Sequence, residues 1–282
     1  MQPDDEGFLY PVTEGHRCND CGICRLTCPV NMENSGATSA LGSNADRLST
    51  PSVFAAWHLD EIIREESSSG GVFTALAENI LARGGAVVGA AFDGQLVVRH
   101  TPIESPQDLH QLRGSKYVQS EIAPALYQEI RDQLKRGRPM LFSGTPCQVA
   151  GLRAFLRESY RNLFCCDVAC MGVPSPALFK KYVDWKSGQM GSPLVSCEFR
   201  NKVHGWQHPS VLLHSLNRKL ICERGGQNPY YLAFGYRIAL RPACYCCSFK
   251  GLDRQGDLTI ADFWGVERKY PEYNLEDKGT SL

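Results

Sequence analysis

The chain has no excess charge of either sign. Lysine plus arginine and aspartate plus glutamate number 30 each in 282 residues, so no net field draws it to nucleic acid or to an anionic membrane. A long apolar run is also missing: the most apolar stretch, 86–92, is far too short to span a bilayer. The N-terminus is acidic where an export signal would be basic and then apolar. These absences lead to the expectation of a cytoplasmic protein with no nucleic-acid partner and no membrane insertion. The seven histidines form no metal-binding set, and His204 and His208 read as turn residues. No solenoid-type repeat is visible. No nucleophile stands beside a base, so no amino-acid-centred chemistry is indicated.

Cysteine, by contrast, is abundant. Thirteen is an odd number and a poor basis for a disulfide framework. In a reducing cytoplasm, closely spaced cysteines are usually metal ligands or redox centres. Cys18, Cys21, Cys24 and Cys28, followed by Pro29, form the run C-x2-C-x2-C-x3-C-P of bacterial ferredoxins. There the first three thiolates wrap one 4Fe-4S cubane and the fourth turns to a second cluster. Zinc is the alternative, although zinc sites usually come as two separated pairs. Residues 1–17 contain no cysteine, so a companion run is absent. The site is therefore expected to be labile, with a three-iron cluster or a four-iron cluster completed by a non-cysteine ligand or a partner chain. Cys28 folding back as the fourth ligand is the other possibility.

Hydrophobic residues make up 43% of the chain, enough for one large domain plus a small appendage. The expected divisions are a cysteine-rich segment at 1–33, a polar linker at 34–50 and a main domain at 51–282. In the main domain, Ser67, Ser68, Ser69, Gly70 and Gly71 precede a helical pattern with Val72, Leu76 and Ile80 on one face. Gly84-Gly85 stops it before a strand at 86–92. Such a helix start suits a phosphate, though these clusters are more often simple N-caps.

A helix at 124–135, a strand at 140–143, a helix carrying Val149, Leu152, Phe155 and Leu156, and a strand at 163–169 follow. The two strands should be parallel, with Cys147 and Cys170 just past their carboxyl ends. That edge is where open α/β sheets place ligands. After Pro193, shorter strands at 194–199, 211–216 and 238–240 suggest an antiparallel extension. The expected fold class is α/β: a mixed sheet with a parallel strand-helix-strand core, an antiparallel extension and a small N-terminal ferredoxin-like segment.

Cys244 and Cys247 form a second chelating pair, open to zinc, a redox disulfide or half a cluster. Cys147 and Cys170 make the last of these concrete, because four thiolates from three loops would complete a cubane. Cys165, Cys166, Cys197 and Cys222 lie in apolar or alternating segments and read as buried free thiols. Cys246 should point away from its neighbours.

Ser69-Gly70-Gly71-Val72-Phe73, Arg113-Gly114-Ser115-Lys116-Tyr117, Thr145-Pro146-Cys147-Gln148, Cys170-Met171-Gly172-Val173-Pro174, the Cys244 and Cys247 pair, and Ala261-Asp262-Phe263-Trp264-Gly265 occur in that order. With these motifs the chain resembles the beta subunit of coenzyme F420 hydrogenases and dehydrogenases from about Gly7 to its last residue. Chlorophyll-metabolism reductases that use ferredoxin are similar at a greater distance. The resemblance implies FAD beside a 4Fe-4S cluster held by Cys147, Cys170, Cys244 and Cys247. Ser69, Gly70 and Gly71 match the flavin-contacting turn, and Gly114, Lys116 and Tyr117 a motif near the flavin. The implied activity is hydride exchange with coenzyme F420 or direct reduction of an organic substrate, with ferredoxin or another subunit as redox partner.

The chain departs from the family in three places. A first ferredoxin run is missing, and Met171 stands where relatives often have histidine. Residues 278–282 resemble the start of a strand that continues in relatives, so a shortened member or a fragment is expected. A non-catalytic electron-transfer subunit and a zinc-stabilised interaction protein are the competing readings.

Overall fold

The computed structural model describes residues 1–28, 51–274 and 276–282. The linker expected at 34–50 and the end of the N-terminal segment, 29–33, lie outside them. The N-terminal segment opens with two short antiparallel strands, β1 (Gln2–Pro3) and β2 (Leu9–Tyr10), and contains a one-turn helix α1 (Ile23–Leu26). Phe8, 2% exposed, plugs this hairpin into the main body. The Glu6 carbonyl accepts from Ala177 N at 3.0 Å and Ser175 Oγ at 2.8 Å.

The main body begins with α2 (Glu61–Glu66), capped by Asp60, and α3 (Val72–Ala82). β3 (Ala86–Phe92) and β4 (Val98–Ile103) then form an antiparallel hairpin, followed by a short helix α4 (Leu109–Leu112). α5 (Pro124–Lys135), β5 (Met140–Gly144), α6 (Pro146–Leu156) and β6 (Leu163–Val168) complete the expected strand-helix-strand unit. With β10 (Leu258–Ile260) the strand order is β10-β6-β5-β3-β4, with β3, β5 and β6 parallel. Alternation of side chains builds a core on each face. Val88 and its register partner Phe142 meet Leu126, Ile130, Val149 and Leu152. Val87 and its partner Leu141 meet Ala77, Leu81 and Leu109 on the other.

α7 (Pro176–Met190) starts at the N-cap Ser175, whose Oγ accepts from Leu178 N. It packs Phe179 and Tyr182 on a second sheet, β7 (Leu194–Asn201), β8 (Ser210–Ser215) and β9 (Leu220–Arg224), all antiparallel. α8 (Pro229–Gly235) adds Tyr230, within 5.3 Å of the Phe179 ring and 5.5 Å of Phe199. β10 (Leu258–Ile260) pairs in parallel with β6 and closes the first sheet. The mixed α/β architecture with a parallel core and an antiparallel extension is as the residue pattern indicates. Among the described residues no helix is long and apolar enough to cross a membrane.

Two local expectations need correction. The strand at 238–240 does not form: Arg237 takes a left-handed φ of +59°, Ile238 N bonds back to Ala233 O, and Leu240 makes only a single bridge to Pro174. Cys222 is exposed rather than a buried thiol, because β9 is an edge strand whose residues alternate between half-buried and exposed. Cys165, Cys166 and Cys197 are buried.

Candidate functional site

The carboxyl ends of β5 and β6 carry the first two cysteines of interest. Thr145 follows β5 and caps α6, which has Cys147 as its second residue, and Cys170 lies two residues beyond β6. Cys244 and Cys247 flank the short turns Pro242–Cys244 and Ser248–Lys250. These loops are tied to one another. Arg241 N donates to Val173 O at 2.9 Å, and a Cβ on Gly172 would come within 3.0 Å of the Cβ of Cys244. The four thiols feel one another: burial raises the Cys147 pKa, the Thr145 hydrogen bond lowers it, and Cys247 and Cys244 raise it. Burial, with added repulsion from Cys147, Cys244 and Cys247, pushes Cys170 up to about 12. Cys147 and Cys170 therefore resist ionisation until a cationic metal compensates them. Among the described residues no three His, Cys, Asp or Glu side chains are placed to hold one metal ion.

Two carboxylates, Asp167 in the interior and Asp257 at the surface, fix the loop that returns from Cys247 to β10. Asp167, 0% exposed, accepts from Arg254 Nη2 at 2.8 Å, Thr259 Oγ1 at 2.7 Å and Gly256 N at 2.8 Å. Asp257 receives Cys165 N at 2.8 Å and Arg153 Nη2 at 2.8 Å. Cys18, Cys21 and Cys24 are exposed and Cys28 is half-buried. Hydrogen bonds in that run are local, Cys18 Sγ to Asp20 Oδ1 at 3.5 Å and Cys21 N to Asn19 Oδ1 at 3.3 Å. Met171, beside Cys170, is 39% exposed and has no proton to give.

The serine-glycine turn has a double character. Gly71 has φ +86°, which favours glycine, and N-caps α3. A Cβ on Gly70 would lie 2.5 Å from Ala56 O and 2.7 Å from Ser281 N. Gly70 N donates to Ser281 Oγ, and Ser69 Oγ to Thr280 O, both at 2.9 Å. Gly70 is thus demanded by packing against Ala56 and Ser281, and Gly71 by its left-handed backbone. Still, the N–H groups of Gly71, Val72 and Phe73 find no acceptor among the described residues, which leaves the positive end of an eleven-residue helix open.

Cations back this turn. Arg200 and Lys202, two apart at the end of β7, reach the same side. Arg200 Nη2 donates to Ser68 O at 3.2 Å, and Lys202 Nζ to the carbonyls of Arg64, Ser69 and Lys278 at 2.6 Å each. Asp262 holds Arg200 through both oxygens, at 2.8 and 3.0 Å, and accepts from Trp206 Nε1 at 2.8 Å.

Segment 113–120 joins the turn to the cysteine loops. Ser115 N donates to Ser68 Oγ at 2.8 Å at one end. At the other, Gln119 N donates to Pro174 O at 3.2 Å and Gln148 Nε2 to Ser120 Oγ at 2.8 Å. Between them, Gly114 is exposed at φ +78°, and Lys116 Nζ donates to Gln111 O at 3.0 Å and Arg113 O at 2.6 Å. Burial pushes Lys116 down to about 7. Tyr117 stacks on Phe234 at 4.2 Å and accepts from Arg200 Nη1 at 3.4 Å.

Two family models match this chain, coenzyme F420 hydrogenase/dehydrogenase beta subunit N-terminal part over residues 53–127 and C-terminal part over 137–282. The second alone spans more than half of the sequence. The chain belongs to the coenzyme F420 hydrogenase/dehydrogenase beta subunit family. No curated protein matches it. Among solved structures, a chain of the xenon-derivatised F420-reducing NiFe hydrogenase complex from Methanosarcina barkeri is similar, with a TM-score of 0.49 and 17% identity. The match covers 74% of this chain and 68% of that one.

In this member of the F420 hydrogenase/dehydrogenase beta subunits, residue chemistry fits both implied groups. Four cysteines on loops at the carboxyl edge of the sheet and beside it suit an iron-sulfur cluster, and open amides at a helix start suit a phosphate. The Arg200, Lys202 and Asp262 network escaped sequence reading, since its partners are up to 138 residues apart. A readable trace existed in the i, i+2 spacing of Arg200 and Lys202 at a strand end.

Proposed function

We propose that this protein is a flavin-dependent iron-sulfur oxidoreductase, passing electrons between FAD, 4Fe-4S clusters and either coenzyme F420 or an organic substrate. In this reading Cys147, Cys170, Cys244 and Cys247 hold one cluster. Cys18, Cys21, Cys24 and Cys28 hold a ferredoxin-type cluster in segment 1–33, joined by linker 34–50 to the cofactor domain 51–282. Ser69, Gly70, Gly71, Gly114, Lys116 and Tyr117 border the flavin, and the amides of Gly71, Val72 and Phe73 meet its phosphates. FAD, when bound, exchanges a hydride on one side and single electrons on the other.

The chain's own residues position and tune. Segment 113–120 keeps the phosphate turn and the cysteine loops at a fixed spacing, and this bridge is the observation that most supports the reading. Arg200, locked by Asp262, holds the Ser68 carbonyl, and Lys202 holds the Ser69 carbonyl. Ferredoxin or another subunit is the proposed redox partner, and free thiols agree with a cytoplasmic setting. The test is anaerobic purification, followed by release of the flavin and its chromatography against FAD and FMN standards. About one FAD per chain is expected. Absence of flavin after reconstitution would leave the protein an electron carrier without substrate turnover.

A further inference from the structure

We propose that Thr145 is a positioning residue that tunes the cluster ligated by Cys147, an inference that rests on the four-cysteine reading above. The Thr145 hydroxyl has one hydrogen and two acceptors in reach: Cys147 Sγ at 3.1 Å and Gln148 Oε1 at 3.1 Å. Only one can receive it at a time. Gln148 does not depend on it, because Thr145 N also donates to Oε1 at 2.9 Å. The amide of Gln148 is held in that orientation by its Nε2, which donates to Ser120 Oγ at 2.8 Å.

The two states of the sulfur therefore select two states of the hydroxyl. A free Cys147 thiol gives its hydrogen to Thr145 Oγ1, and the hydroxyl hydrogen stays on Gln148. A sulfur bonded to iron has no hydrogen and can only accept, so the hydroxyl turns to it. Gln148 Oε1 keeps its backbone donor, and no buried polar atom is orphaned by the exchange. Cys147 is also the second residue of the eleven-residue helix α6, where the helix dipole favours negative charge. Both effects withdraw charge from a ligand sulfur. They stabilise the reduced cluster, which carries one more electron, over the oxidised one and raise its potential.

Ser120 belongs to the segment that contacts the serine turn through Ser115, so the orientation of Gln148, and with it the choice open to Thr145, is set from the flavin side of the site.

The experiment compares wild type, Thr145→Val, Thr145→Ala and Thr145→Ser as anaerobically purified full chains. Iron, sulfide and flavin are counted, and the potential of the four-cysteine cluster is read by redox titration followed by electron paramagnetic resonance. Val and Ala should shift the potential to more negative values at unchanged iron content, while Ser stays at the wild-type value. A Val or Ala variant at the wild-type potential overturns the proposal, as does a Ser variant shifted as far as Val. Loss of the cluster from both apolar variants at unchanged flavin content also overturns it, in favour of a purely structural role. If Cys247→Ser leaves the iron content of the protein intact, the four-cysteine reading itself has failed, an outcome visible before any potential is measured.

Discussion

Replacing Asp167 by Asn tests whether the cysteine loops are held by a buried charge rather than by shape. The carboxylate is 0% exposed, and its Oδ1 accepts from Arg254 Nη2 and Nε at 2.8 and 3.2 Å and from Thr259 Oγ1 at 2.7 Å. Oδ2 accepts from Gly256 N and Gln255 N at 2.8 and 3.2 Å. An asparagine keeps the shape but has one oxygen. With that oxygen toward Arg254, its NH2 group faces two backbone N–H donors and leaves them unpaired. Breaking a fully buried pair costs about 3–5 kcal/mol. The Arg254 side chain is 20% exposed, so the lower end, about 3 kcal/mol, applies. In a chain of this size that lowers Tm by roughly 6–12 °C. Asp184→Asn is the control, since Asp184 pairs with Lys180 at 2.8 Å with both side chains exposed, and such pairs contribute about 0–1 kcal/mol. Thermal unfolding of both variants is the assay, with iron content alongside. Because the loop from Cys247 runs through Gly256, Asp167→Asn should also lose iron. An Asp167→Asn variant that melts within about 2 °C of wild type would refute the reasoning, since it implies less than about 1 kcal/mol.

His100 gives a pH prediction. Burial pushes its pKa down to about 4, while Nε2 bonds Ser143 O at 3.1 Å and the ring stacks on Phe142 at 5.3 Å. Between about pH 6.5 and 4 the unfolded state binds the extra proton, so stability rises with pH across that window by about 3 kcal/mol in all. Denaturant midpoints from pH 4.5 to 7 should show this slope, and His100→Gln should flatten it. Arg241 should anchor the N-terminal hairpin, because its Nη2 donates to Leu9 O at 3.0 Å and its guanidinium lies 4.4 Å from the Tyr10 ring. Arg241→Ala should remove about 1–2 kcal/mol of local stability and speed limited proteolysis within residues 1–10 roughly 5- to 30-fold, with an unchanged rate counting against the anchor.

Legibility of the fold followed local pattern strength. Leu126, Ile130 and Leu134 on one face of α5, with Gly137 after its end, made that helix plain. Apolar residues at 86–92 did the same for β3. α7 carries a start signal in Ser175 and Pro176, yet Lys186 on its buried face, paired with Glu223 at 2.6 Å, masks the apolar period. β9 pairs on one side only, so its polar residues weaken the alternation. Ile238 and Leu240 form a run too short to separate a strand from a helix end. In the site, Cys147 and Cys170 were readable because parallel topology alone puts both at the carboxyl edge of the sheet. The bridge from Ser115 to Ser68 and the clasp of Arg200 by Asp262 join residues 47 and 62 positions apart. No local spacing encodes such contacts; they follow from tertiary packing.

The central claim is that Cys147, Cys170, Cys244 and Cys247 share one cluster. Its most direct test is the iron and acid-labile sulfide content of anaerobically purified Cys247→Ser, set beside wild type and Cys197→Ala, whose thiol is buried in the apolar core. Loss of about four irons and four sulfides in Cys247→Ser, with Cys197→Ala unchanged, is the expected result. Wild-type iron and sulfide in Cys247→Ser would contradict the claim.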